Sequence, residues 1–191
     1  LLGALQWLAV QSAPQLSAEV GLYQSRITVA TVSDLVAANR LLRRARKQQP
    51  KFRIQKIPGP QMMVGWSDAC LNNRANSGST GGYVIGLASR DIVTGKPSRV
   101  RPVSWSSHKL KRMAKDSLSA EVQALTTAED EMHLVRMQWA EFQGQLVNLH
   151  QVDDHVRTIS AIAVIGAKSI YDMLTSRPVA QSMMERRTAI E

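Results

Sequence analysis

Two acidic residues sit where a fold would have to accommodate them at a cost. Asp68 lies inside the apolar, strand-like run VGWSDAC, and charged side chains are almost never fully buried without a partner. From spacing alone it reads equally as an aspartate at a strand end and as a carboxylate held for chemistry. Glu121 opens a helix-like stretch; at about 100° per residue it shares an arc with Leu118, Leu125 and Trp139, and so points at whatever that helix covers. Acids are favoured at helix starts by a few tenths to about 1 kcal/mol, which accounts for Glu121 taken alone. A third group, His150, Asp153, Asp154 and His155 in HQVDDHV, has no standard metal-ligand spacing and falls where a solvated loop is expected. Finally, Arg40, Arg43, Arg44 and Lys47 follow i, i+3, i+4, i+7 spacing. They form one cationic helix face, suited to phosphate contact and equally to solvent.

The elements that must position these residues are legible as changes of period. Residues 1 to 48 have helical periodicity, with Leu1, Leu5 and Leu8 on one face and Val32, Leu35, Val36 and Leu42 on another. Pro14 separates the first helix from the second, and Ser33 or Asp34 is placed to cap the third. Phe52 and Ile54 alternate, and Pro58, Gly59 and Pro60 then stop the chain. Three strand-like runs follow: Met62 to Cys70, Tyr83 to Leu87, and Val100 to Trp105. The turns between them are rich in Asn and Gly: Asn72, Asn73, Asn76, Gly78, Gly81, Gly82 and Gly95, with Pro97. A long helix from Ser117 to Phe142 carries Leu118, Val122, Leu125, Met132, Val135, Trp139 and Phe142 as its apolar stripe. Thr158 to Ile165 reads as a buried strand, and Lys168 to Leu174 as a short helix ending before Pro178. Three strands, a helix, a strand and a helix make an α/β pattern on a mixed sheet. Trp66 and Trp105 read as core or sheet-face packing.

Composition narrows the class. With 44% hydrophobic residues in 191, the chain has material for a core and is no disordered segment. Lys and Arg number 24 against 15 Asp and Glu, for a net charge of +9. That balance favours a polyanionic partner, usually nucleic acid; no long basic amphipathic helix argues for a membrane surface. Cys70 is the single cysteine, which excludes an internal disulfide and suits a reducing, intracellular compartment, cytoplasmic or nuclear. The apolar opening, Leu1 to Val10, is interrupted by Gln6 and Gln11 well short of the ~20 residues of a membrane span. Without an initiating Met, the sequence reads as a piece of something longer.

Taken in order, VGWSDAC, NSGSTGGYVIGL and PVSWSSHKLKRMAKDSLSAEVQAL resemble the ribonuclease H segment of copia-type retrotransposon polyproteins. That pattern has an aspartate in the first strand, a Ser-Thr-x-Gly-Tyr hairpin, a Ser-Trp-x-Ser strand, and a Ser-rich turn into an Ala-Glu-x-x-Ala-Leu helix. Here these are Asp68, Ser79 to Tyr83, Ser104 to Ser107 and Ala120 to Leu125. The upstream LLGALQWLAVQSAPQLSAEVGLYQS and LVAANRLLRRAR resemble the stretch joining reverse transcriptase to ribonuclease H. The resemblance implies a helical connection segment over residues 1–58. It implies a ribonuclease H-like domain over 61–191, incomplete at its C-terminus.

It also implies a chemistry: cleavage of the RNA strand of an RNA–DNA hybrid by two divalent ions, Mg²⁺ in the family. In-line attack on a phosphodiester needs an activated water and a stabilised leaving oxygen, which two metals about 3.5–4 Å apart supply. Magnesium prefers carboxylate oxygen and water, so several acids must converge. Asp68 and Glu121 match the first two ligands of the family. The third falls in AVIGAKSIYDML, where the family reads Val-x-Asp-Ala-Lys-Ser-Leu-Tyr-Asp and this chain has Gly166. The resemblance places the fourth beyond Glu191. Asp172, about 9 Å further along the following helix, is too far from Gly166 to substitute. The expectation is a ribonuclease H-like domain without activity, or a basic nucleic-acid-binding remnant. Asp68 and Glu121 are expected to face one cleft.

Overall fold

The computed structural model describes residues 1–48, 55–145, 150 and 152–175. The alternation at Phe52 and Ile54 and the stop at Pro178 lie outside the described residues. Three helices come first: α1 (Leu2–Gln11), α2 (Ser17–Ser25) and α3 (Val32–Lys47). Pro14 opens a single 3₁₀ turn after α1, where its missing N–H costs nothing. The cap of α3 is Thr31 rather than Ser33 or Asp34. Asp34 sits three residues inside, its carboxylate accepting from Thr31 N (2.9 Å) and Oγ1 (2.7 Å), while Thr31 Oγ1 accepts from Asp34 N. That capping box fixes the helix start two residues earlier than Ser33.

Leu5, Ala9, Ala13, Leu16, Val20, Leu41 and Ala45 form a small core shared by the three helices. In α3 the expected apolar face is turned outward: Val32, Leu35 and Val36 are exposed, and the buried residues are Ala38, Leu41 and Ala45. Leu41 and Ala45 are the residues of this helix that reach the core of α1 and α2. Two polar contacts tie this segment to the sheet. Trp105 Nε1 donates to the Ala9 carbonyl (2.8 Å), and Arg74 Nη1 to the Gly21 carbonyl (3.1 Å).

The sheet has four strands, β1 (Gln61–Cys70), β2 (Thr80–Ser89), β3 (Arg101–Lys109) and β4 (Ala161–Ile165), in the order β3-β2-β1-β4. β1 is antiparallel to β2 and parallel to β4; β2 is antiparallel to β3. The turn after β1 puts Asn72 and Asn76 at positive φ, which asparagine adopts cheaply. Gly81 and Gly82, expected in that turn, belong to β2. The expected buried strand from Thr158 starts only at Ala161, and Ala163 and Val164 are exposed. β4 is an edge strand, so among the described residues only β1 covers its flank. Its apolar run is compatible with an edge because Ala161 and Ile162 still pack inward.

Helix α4 (Ser117–Phe142) crosses the sheet over β1 and β2, starting at Asp116, whose Oδ1 accepts from Ser119 N at 2.6 Å. Its buried face shares only Leu118 and Met132 with the expected stripe. Ala120, Ala124, Ala128 and Met132, with Leu118 and Ala140, are buried; Val122, Leu125, Val135 and Trp139 are half-buried, and Phe142 is exposed. The helix is rotated because the sheet beneath it is floored with glycine. A Cβ at Gly81 would lie 3.3 Å from Ala124 Cβ, and one at Gly65 would lie 3.3 Å from Met132 Sδ. At Gly81 small residues meet, Gly65 leaves room for Met132, and Val122 and Leu125 lie at the flanks. A helix α5 (Val152–Arg157) and a helix α6 (Lys168–Thr175) flank β4; α6 anchors through Ile170, which is fully buried. No described helix is long and apolar enough to cross a membrane.

Ala124→Leu should force α4 off Gly81 and cost about 1–3 kcal/mol, the range for overpacking. Trp139→Ala, at a half-buried site, should fall short of the ~3–5 kcal/mol of a fully buried aromatic. Urea unfolding of both variants checks the order; a larger loss at Trp139 would show that the flank, not the alanine stripe, carries the helix.

Candidate carboxylate site

β4 ends before β1 does. Their pairing stops at Ser67–Ile165, so residues 68–70 of β1 have no β4 neighbour. Backbone direction alternates along a strand, and Met63 N–H already points to the β4 side, donating to Ser160 O at 2.9 Å. Ala69, six residues on, therefore sends its N–H the same way, past the end of β4. Glu121, in the second turn of α4, sets its carboxylate beside that N–H, which favours the ionised form.

The same position brings Glu121 beside the Asp68 side chain. Asp68 is exposed and Glu121 half-buried. Burial pushes the Glu121 carboxyl above its usual range, the Asp68 charge pushes it further, and the Ala69 N–H opposes both. Two carboxyl groups in contact hold either a proton between them or a cation. The two sequence-predicted acids are brought together.

Gly166 follows Ile165 as Asp68 follows Ser67, so the two stand level where the strands part. Its φ is not positive, and a Cβ there would meet nothing within 4 Å. Neither backbone nor packing calls for glycine. Asp172 lies exposed on α6. The HQVDDHV segment is not the loop expected of it: Val152–Arg157 is helical, its acids solvated in the first turn, with Asp153 3.9 Å from His133 Nε2. The flanking Val156 supplies the buried anchor that lets this short helix form. Among the described residues no three His, Cys, Asp or Glu side chains converge on a metal position. The donor set fits one hydrated divalent ion across Asp68 and Glu121 and does not fit a pair of ions.

The cationic face of α3 is divided. Arg40, Arg43 and Lys47 are exposed, but Arg44 forms an ion pair with Glu19 of α2, and α3 packs chiefly on α2 rather than on the sheet. A second set of cations was missed by the sequence reading. Lys109 at the end of β3 and Lys111, Arg112 and Lys115 in the connection from β3 to α4 are exposed. Leu110 and Ala114 of that connection pack with Ala69 and Leu71 at the end of β1. The signal was present as the charge run KLKRMAK; only the fold reveals that it borders the strand bearing Asp68.

The raised carboxyl of Glu121 fixes a sign. Below its unfolded value of 4.5 both states are protonated and nothing is lost. As pH rises through the higher folded value, the folded state must give up a proton it holds more tightly, and stability falls. Glu121→Gln keeps an acceptor for Ala69 N–H but loses the charge, so urea unfolding at pH 4.5 and 7 should show that decline in the wild type and not in the variant. An equal decline in both would place the titration elsewhere.

No family model, no curated protein and no solved structure matches this chain.

Proposed function

We propose that this chain is a ribonuclease H-like domain of the copia retrotransposon type, behind a helical connection segment, whose metal site is too incomplete to cleave. The observation that carries the reading is the placement of three positions. Asp68 on the first strand and Glu121 on the long helix touch, and position 166 stands level with Asp68 at the end of the fourth strand. Those are the places from which the family draws its first three acids, and the sheet order, with β1 parallel to β4, is compatible with that fold. The motifs quoted above occur in the family's order.

The substrate class that follows is the RNA strand of an RNA–DNA hybrid, and the metal Mg²⁺. Asp68 and Glu121 would hold it, and its chemistry would be to polarise a phosphodiester and its attacking water. With Gly166 in place, the second ion lacks a carboxylate, and two acids cannot position an attacking and a leaving oxygen together. A second reading, a non-catalytic nucleic-acid binder, is favoured by the net charge of +9 and by exposed cations on α3 and before α4. The two readings agree on binding and on the compartment, inside the cell, and differ only in whether cleavage can be restored.

With Mg²⁺ and a labelled RNA–DNA hybrid, the chain should produce no cleavage above background. Gly166→Asp should tighten Mg²⁺ binding in calorimetry, because a third carboxylate joins the pair, yet restore little cutting. Gly166→Asp joined to a family-like C-terminal extension bearing the fourth acid should cleave, and Asp68→Asn in that protein should abolish it. Metal-dependent cleavage by the unaltered chain, lost on Glu121→Gln, would falsify the incomplete-site reading.

A further inference from the structure

The cationic connection between β3 and α4 bounds a cleft of about 560 Å³ against the flank of the helix. Lys111, Arg112 and Lys115 line one side, and Ser119, Gln123 and Thr127 line the other. The polar groups are chiefly donors or hydroxyls, and two acids also line the cleft. Asp116 is already engaged, its Oδ1 accepting the Ser119 N–H that caps α4; Asp130 stands about four turns further along the helix.

The connection is held rather than loose. Leu110 N–H donates to Ser79 O at 2.9 Å, Arg112 N–H donates to Gln123 Oε1 at 3.2 Å, and Leu110 and Ala114 are buried between these points. His108, at the inner end, is kept below its usual range by burial, with Arg74 and Lys111 adding to the effect. The imidazole is therefore neutral at physiological pH, and the fields of two cations overlap where it stands. Because Leu110 and Ala114 rest on Ala69 and Leu71, the cleft opens at the same end of the sheet as the Asp68–Glu121 pair.

We infer that this cleft is the principal phosphate-contact surface, and that it seats the sugar–phosphate backbone of a nucleic-acid strand. The inference rests on the nucleic-acid reading proposed above and assigns it a place. Three long cations on an anchored connection, in a chain of net charge +9, complement a polyanionic backbone, and Leu110, Met113 and Val122 supply the apolar lining. The α3 face, packed chiefly on α2 and with Arg44 paired to Glu19, contributes less.

Two triple variants separate the surfaces at equal charge. Lys111→Gln/Arg112→Gln/Lys115→Gln and Arg40→Gln/Arg43→Gln/Lys47→Gln each lower the net charge of +9 by three. Fluorescence anisotropy of a labelled RNA–DNA hybrid across a salt series reads log K against log salt. The cleft variant should lose about 2.7 from the magnitude of the slope, at 0.9 per phosphate contact, and the α3 variant distinctly less. Lys111→Arg/Lys115→Arg should bind as the wild type does, and circular dichroism confirms that each variant is folded. Equal or greater loss in the α3 variant overturns the placement and leaves the nucleic-acid reading intact. A wild-type chain that binds no hybrid at low salt overturns both. Displacement of the hybrid by polyglutamate at equal ionic strength would assign the cleft to an acidic protein instead, and displacement by inorganic phosphate at equal ionic strength to a free anion.

Discussion

Ala124 of α4 lies where the sheet has no side chain, and the molecule's arrangement follows from that contact. A Cβ on Gly81 would come within 3.3 Å of Ala124 Cβ and 2.6 Å of Leu110 Cδ2. The helix can therefore ride low only because β2 opens with glycines, and only with alanine at Ala120, Ala124 and Ala128 along its underside. Riding low has two consequences. Glu121, one residue from the first of those alanines, comes within reach of the backbone of β1. Leu110, which fills the remaining space, draws the cationic connection down beside Ala69 and Leu71. Acid pair and basic cleft are set by one close approach.

Glu121 does two jobs there that pull against each other. Beside the Ala69 N–H, which favours its ionised form, it stands at a strand edge that β4 leaves uncovered. As a charge beside Asp68 it is unfavourable, since burial and a like charge both oppose ionisation. A purely structural residue at this position would be better as glutamine, which offers the same N–H an acceptor without the charge. A glutamate kept in contact with an aspartate is a stability defect of the sort that polar sites carry where a cation or proton is to be held.

The elements were largely legible in the sequence, while the faces were not. The bounds of α4 from Ser117 to Phe142 follow from the cap and the apolar period, both local properties. Which arc of α4 turns inward depends on Gly65 and Gly81, far away in sequence, and so Val122 and Leu125 were expected in the core that the alanines occupy. The same holds for α3, where Val32, Leu35 and Val36 are exposed while Leu41 and Ala45 meet the core of α1 and α2. Hydrophobicity ranks residues by what burial would gain, whereas close packing selects by what fits. The Asp68–Glu121 contact was legible through the order of motifs. The cations Lys111, Arg112 and Lys115 were visible as a run, but their relation to β1 is a tertiary fact.

Gly166 is where the absence of constraint is itself informative. A glycine is usually explained by a positive φ or by a neighbour that forbids a Cβ, and Gly86 in β2 is of the second kind, with the Arg101 carbonyl oxygen 2.7 Å from its would-be Cβ. Gly166 has neither reason: its backbone is ordinary and its surroundings are empty. The strand end would accept an aspartate without rearrangement, at the level of Asp68 and within the field of an already strained pair. Such a residue would add a third like charge to two that repel, so without a cation it would destabilise the site, and with one it would strengthen it. What separates this chain from a three-acid site is therefore a matter of side-chain chemistry at one position and not of fold. The scaffold that orients Asp68 and Glu121 is the same whichever residue stands at 166.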